Sequence, residues 1–241
     1  MSGQPLSLLE CESMCGRYRL TRADRLSEKF DAEVAEELHP RYNIAPTQPV
    51  PVVRASGSRR VIASMRWGLI PSWAKDASMA QINARSETLL EKPAFKESFE
   101  RRRCLIPADG FYEWKRSGRS KQPFHFGMQD DSLFAFAGIW DRWRTLQGPV
   151  IESCAILTTG PNALLCDVHD RMPVILRSEN YQDWLLAPNS ERGRLFSFLQ
   201  PLDAVIMKRF PVGCSVNDVQ NDTSECIQEV PELISTQAAL F

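Results

Sequence analysis

The 241-residue chain lacks most of the features that would place it in a specialised class. No apolar run approaches the roughly 18 residues that a membrane-spanning helix needs. The first residues, MSGQPLSLLECES, have neither a basic stretch nor a long apolar one. No secretory leader is therefore expected, and the cytoplasm is the expected compartment, with nucleoid association if the source is bacterial. No C-x-x-C occurs among the seven cysteines, Cys11, Cys15, Cys104, Cys154, Cys166, Cys214 and Cys226. Their odd number and wide spacing argue against a disulfide framework and against a zinc ribbon or finger. Most are expected to be apolar core fillers. There is no glycine-rich phosphate loop, no repeat and no low-complexity segment; the 12 Gly and 16 Pro are scattered. With no nucleotide loop and no clustered ligand set, neither a metal nor an organic cofactor is expected.

What is present is ordinary in amount and uneven in arrangement. Hydrophobic residues are 43% and charged residues 24%, the balance of a soluble globular domain. The length suits one large domain with a real core. The net charge is −1, yet residues 14–121 carry 21 Lys and Arg against 13 Asp and Glu, and residues 122–241 carry 8 against 15. The first half can present a positive face to a polyanion, although the two halves can also mix their charges on folding.

Thr21 and Asp24 read as a capping box. Leu26, Phe30, Val34 and Leu38 recur at i+4, which predicts a helix over 22–38 ended by Pro40. Residues 42–49 read as a rigid loop. Strands are expected at 50–54, 61–67, 104–106, 133–140, 150–158 and 203–210. Partly helical segments are expected at 84–100, 161–167, 178–186 and 191–199. Many short strands with irregularly placed helices predict an α+β class, a single compact domain with a curved, barrel-like β core and peripheral helices. The domain is expected over 14–230, with an extension at 1–13 and a tail at 231–241.

Polar and aromatic residues gather in six segments where a core does not need them. These are Met14-Cys15-Gly16-Arg17-Tyr18, Arg41 to Thr47, Arg66 to Ala74, Ile82 to Glu87, Cys104 to Trp114, and Thr158-Thr159 through His169-Asp170-Arg171-Met172-Pro173. In order and spacing they resemble the SRAP family, SOS-response-associated peptidase-like proteins that process abasic sites. The resemblance runs from Met14 to about Asp222. It implies a β-barrel-like core and a groove for single-stranded DNA bearing abasic sites, working as a monomer without a membrane.

Cys15 matches the family's reactive cysteine, which becomes the N-terminus once the initiator Met is removed. The chemistry explains that requirement. An abasic deoxyribose opens to an aldehyde, a free α-amine forms an imine with it, and the thiol of the same residue closes a five-membered thiazolidine. The α-amine has a reference pKa of about 7.7–8.0, so part is free base near neutrality. In this chain thirteen residues precede Met14. Either translation begins at Met14, which the absence of periodicity in 1–13 favours, or residues 1–14 are cut away, as the family's peptidase name implies.

The resemblance also assigns Asn83, Glu113 and His169 to the site. Asn83 would hold the opened sugar or the amine by hydrogen bonds. Glu113, among three aromatics, would move protons from a desolvated setting. His169 would protonate the sugar hydroxyl or shuttle protons in imine formation and reversal. Arg17, Arg85 and Arg171 are candidates for phosphate contacts, Asn43 and Pro46 for approach to the strand, Trp67 and Trp73 for base stacking, and Thr159 for positioning. Strand cleavage by β-elimination is a possible side activity. Two competing functions remain at this point. One is a thiol peptidase with Cys15 as nucleophile and His169 as base. The other is a non-covalent binder of modified DNA, which would not need Cys15.

Overall fold

The computed structural model describes residues 16–34, 37–118, 120–144 and 148–233. Met14, Cys15 and the 1–13 extension therefore lie outside the described residues, as does most of the 231–241 tail. Five strands close a barrel at the centre of the molecule: β4 (Pro49–Ser56), β5 (Arg59–Trp67), β7 (Arg103–Ala108), β10 (Phe134–Arg144) and β11 (Val150–Thr159). They pair in the order β11-β10-β7-β4-β5, and β5 returns to β11 in parallel at Ser153↔Arg66 and Cys154↔Trp67. Closure leaves these strands no free edge. β7 is buried along its whole length and β11 from Cys154 onward. Such near-continuous apolar runs are those of strands covered on both faces. Pro49 and Pro51 are tolerated in β4 because only Val53 pairs across to β7, so neither proline is asked for a ladder donor there.

A second sheet packs against the barrel in the order β14 (Met207–Pro211), β9 (Ser120–Met128), β8 (Gly110–Ser117), β1 (Arg17–Leu20), β3 (Arg41–Ile44). One core fills the space between, with Tyr18, Trp67, Phe111, Phe126, Phe136 and Trp184 all wholly buried. Short additions complete the barrel sheet: β2 (Ala32–Val34) on β5, β6 (Asn83–Arg85) and β12 (Met172–Pro173) on β11, and β13 (Ile175–Leu176) on β10. The helices are short and peripheral: α1 (Leu26–Phe30), α2 (Pro93–Arg101), α3 (Tyr181–Leu186) and α4 (Arg192–Ser197). No helix among the described residues is long and apolar enough to cross a membrane. The α+β class with a barrel-like core is thus the observed one.

The helix expected over 22–38 is corrected. Only Leu26–Phe30 is α-helical; Asp31 turns left-handed at φ 48°, and Ala32–Val34 pairs with Arg60–Ile62 of β5. Sheet pairing outweighs the i+4 pattern. The Thr21–Asp24 capping box is also absent, because the Thr21 hydroxyl donates to Asp109 and no side chain caps the turn. Residues 42–44, expected in a loop, belong to β3. The segment at 161–167 is a series of hydrogen-bonded turns, not a helix.

Candidate functional site

Chain order makes β1 the continuation of Cys15. Its two faces differ in kind. Tyr18 and Leu20 point into the core, where the Tyr18 ring meets Trp67 edge-on at 5.3 Å. Arg17 points the other way, 5.9 Å over Trp114, and its guanidinium donates to Asn43 Oδ1 (3.0 Å) and to the carbonyls of Val216 (2.6 Å) and Asn217 (3.2 Å). Burial holds it below its usual pKa. The Asn43 amide donates to the carbonyls of Val216, Asp218 and Asn221. Asp222 accepts from Arg41 and from the backbone N–H groups of Tyr42 and Asn43. Residues 212–230 are thereby strapped across β1 and β3. Arg17 and Asn43 serve here as tethers of that strap; Asn43 is wholly buried, so the expectation that it faces a DNA strand is corrected, whereas Arg17 stays partly exposed. Pro46 is half-buried, just before Thr47, whose φ is 74°.

β8 runs antiparallel to β1 with Arg17↔Tyr112 and Tyr18↔Phe111. One more step of that register brings Gly16 level with Glu113. Glu113 is 2% exposed and sits opposite Phe124 of β9. Strand alternation sends Phe111, Glu113 and Lys115 to the core side, and Tyr112 and Trp114 to the strap.

At the rim of the barrel the chain leaves β5 through Gly68, whose φ of 124° only glycine takes without strain. It returns to the same line beside β11 at Ile82, closing the excursion with a Leu69↔Gln81 bridge. Trp67 secures the return: its indole N–H donates to Ile82 O at 2.9 Å. Trp67 is wholly buried, so the stacking expected of it is corrected to a core role. Trp73 lies on the excursion and is 54% exposed. Its neighbours are pinned to the barrel. Ser72 N–H donates to Asp141, and the Trp143 indole donates to Ala74 O.

Immediately after Ile82, Asn83 and Arg85 pair with Ile156 and Thr158 of β11. Thr159 pairs with Met172. Arg85 is exposed and makes no ion pair among the described residues. Arg171 grips both Glu87 oxygens (2.6 and 2.8 Å) and Thr158 O (2.7 Å), which lowers the Glu87 pKa. Glu87 was not singled out by sequence reading, although it ends one of the six segments. His169 Nδ1 accepts the Arg171 backbone N–H at 3.1 Å, and Asp170 Oδ1 lies 3.0 Å from the same nitrogen. Asn83, Arg85, Thr159, His169 and Arg171 therefore gather at one end of β11. Lys115 of β8, two residues beyond Glu113, reaches the turn that precedes His169 through Asp167, at 3.0 Å. Among the described residues no group of three or more His, Cys, Asp or Glu is arranged to hold a metal.

The SOS response associated peptidase (SRAP) family matches residues 14–219. The chain belongs to the SRAP family. Abasic site processing protein YoqW of Bacillus subtilis is 44% identical over 222 residues, covering 89% of this chain and 99% of that protein. Abasic site processing protein HMCES of Xenopus tropicalis is 31% identical over 229 residues, covering 81% of this chain and 68% of that protein. Among solved structures, a Bacteroides thetaiotaomicron protein superposes with a TM-score of 0.82 at 26% identity, covering 90% of this chain and all of that one. The SRAP match begins at Met14, one residue before Cys15.

Proposed function

We propose that this SRAP protein processes abasic sites in single-stranded DNA by covalent capture through Cys15. The observation that carries the reading is the family match opening at Met14, so that Cys15 holds the second position of the matched segment. The relatives named as abasic site processing proteins support the substrate. Once residues 1–14 are absent, Cys15 offers amine and thiol on adjacent carbons. The amine adds to the sugar aldehyde, water leaves to give the imine, and the thiol adds to the imine carbon to close the thiazolidine.

Connectivity keeps Cys15 within about 3.8 Å, Cα to Cα, of Gly16, and the β1–β8 register directs that end of the chain toward Glu113. Glu113 and His169 move the protons of addition and dehydration. Asn83, held next to the Trp67–Ile82 hydrogen bond, donates to the sugar or the amine. Exposed Arg85 takes phosphate directly, whereas Arg171 must exchange Glu87 for it. Trp73 stacks on a base. The same imine allows a slow lyase reaction, and removal of residues 1–14 by the protein itself would account for the peptidase name.

The test is a denaturing gel of a single strand with one abasic site. Protein begun at Met14 is expected to give a heat-stable shifted band, and Cys15→Ser none. A shift by the full-length chain, accompanied by loss of 14 residues in its mass, would favour self-processing over a start at Met14. Absence of a shift with a verified N-terminal Cys15 would overturn the proposal.

A further inference from the structure

We propose that Asp167 is a positioning residue of the site: gripped by Lys115 and Arg209, it fixes the turn that carries His169 against the strand that carries Glu113. The proposal rests on the reading of Glu113 and His169 given above. Its basis is a set of contacts that tie the sixth sequence segment to β8 and β14.

Residues 162–169 form consecutive hydrogen-bonded turns. Asn162 Oδ1 accepts from Leu164 N and Leu165 N, Cys166 N bonds back to Asn162 O, and His169 N bonds back to Leu165 O. Leu165 and Val168 are buried beneath it. The near end is anchored by the Asn162 amide, which donates to Leu202 O at 2.8 Å. The far end, next to His169, is held by Asp167. Its carboxylate meets Arg209 of β14 with both oxygens and Lys115 of β8 at 3.0 Å. Arg209 also donates to Leu164 O at 2.7 Å, so one guanidinium holds the turn twice. Glu232 gives Lys115 a second carboxylate at 3.2 Å.

The two cations converge over one ring. Arg209 lies 5.3 Å and Lys115 5.9 Å from the centroid of Phe124, which is the direct cross-strand partner of Glu113. Lys115 is two residues along the same strand face as Glu113. Asp167 is two residues before His169. The bridge therefore ties the residue two after Glu113 to the residue two before His169. Hydrogen bonds from Arg209 and then Lys115 hold the Asp167 carboxyl well below the usual carboxylate range, so it stays ionised while the site titrates. Because the carboxylate is partly exposed, such a bridge adds little to global stability; what it supplies is alignment.

The experiment uses protein begun at Met14, as wild type, Asp167→Asn and Asp167→Glu. Crosslinking rate at saturating abasic single strand is followed from pH 5 to 8.5, with affinity for a strand bearing a non-reactive tetrahydrofuran site and Tm as controls. In parallel the His169 ring is titrated by NMR, assigned through His169→Gln. Misplacement on the scale of an ångström slows a reaction on the order of 10- to 100-fold. Asp167→Asn is expected to lose rate on that scale with an altered pH profile and a displaced His169 titration. Affinity should stay within about twofold and Asp167→Glu should recover part of the rate, because alignment and not folding is what is lost. A wild-type rate, pH profile and His169 titration in Asp167→Asn would overturn the proposal. Should wild type with a free Cys15 capture no DNA, the covalent reading fails, and the His169 titration alone decides whether Asp167 positions that ring.

Discussion

Trp67 and Trp73 carry the same side chain in one sequence segment and meet opposite fates. The first is wholly buried with its indole N–H spent on Ile82 O; the second is 54% exposed on a loop whose neighbours are hydrogen-bonded to the barrel. Truncation to Ala should separate them. Trp67→Ala is expected to lower unfolding free energy by about 3–5 kcal/mol, read by urea denaturation. Trp73→Ala should leave stability nearly unchanged and weaken single-strand binding by about 1–3 kcal/mol, read by fluorescence anisotropy. Gly110 marks a second residue-level constraint. A Cβ there would lie 2.1 Å from His125 Nε2 and 2.7 Å from Arg19 Nε. Gly110→Ala is expected to destabilise by about 1–3 kcal/mol or more through overpacking, read as a lower denaturation midpoint. None of this was legible in sequence, where Gly110 is one member of a motif and the two tryptophans look equivalent. Burial of one and exposure of the other depends on where the chain leaves β5.

Among the elements, the strap at 212–230 is one that the sequence did not announce. It has no periodicity, and its attachment depends on Asp222 finding Arg41 and the backbone of Tyr42 and Asn43 far away in the chain. Charged hydrogen bonds of this kind contribute about 1.5–3 kcal/mol. Asp222→Ala is expected to lose stability in that range and to speed amide exchange at 42–43, with the barrel strands little affected; hydrogen exchange followed by mass spectrometry checks both. The barrel strands were legible because their apolar runs are long: 50–54, 61–67, 104–106, 133–140 and 150–158 all fall inside observed strands or overlap them closely. The β8–β9 hairpin was not, since Glu113, Lys115 and Gln122 interrupt its alternation on the inward face. The inward charge that hid the hairpin is the same feature that makes Glu113 a candidate for proton transfer.

For the whole molecule, closure of the barrel gathers at one end of β11 residues that the sequence spreads from 83 to 171. Their order along the chain is visible in sequence; their meeting, and the roles of Arg17 and Asn43 as tethers, follow only from which strands pair. Global stability should also carry a pH signature from His125. Its ring is wholly buried, stacked on Phe210 at 4.7 Å, with neither nitrogen hydrogen-bonded among the described residues. Burial first, then the charges of Arg19 and Lys208, hold it well below the ordinary histidine pKa. The unfolded chain takes up this proton below about pH 6.5 and the folded chain does not, so stability is full above that pH. It falls as pH drops, by up to about 1.4 kcal/mol per unit. His125→Phe should flatten that decline in denaturant titrations at pH 7.5 and 5.5. The central claim concerns the chain that leads into β1 and is tested most directly by the intact mass of the DNA adduct. The account predicts protein beginning at Cys15 plus the abasic oligonucleotide less one water, with the added mass on the N-terminal peptide. An adduct on any other residue, or none from protein whose Cys15 is shown to be N-terminal, would contradict it.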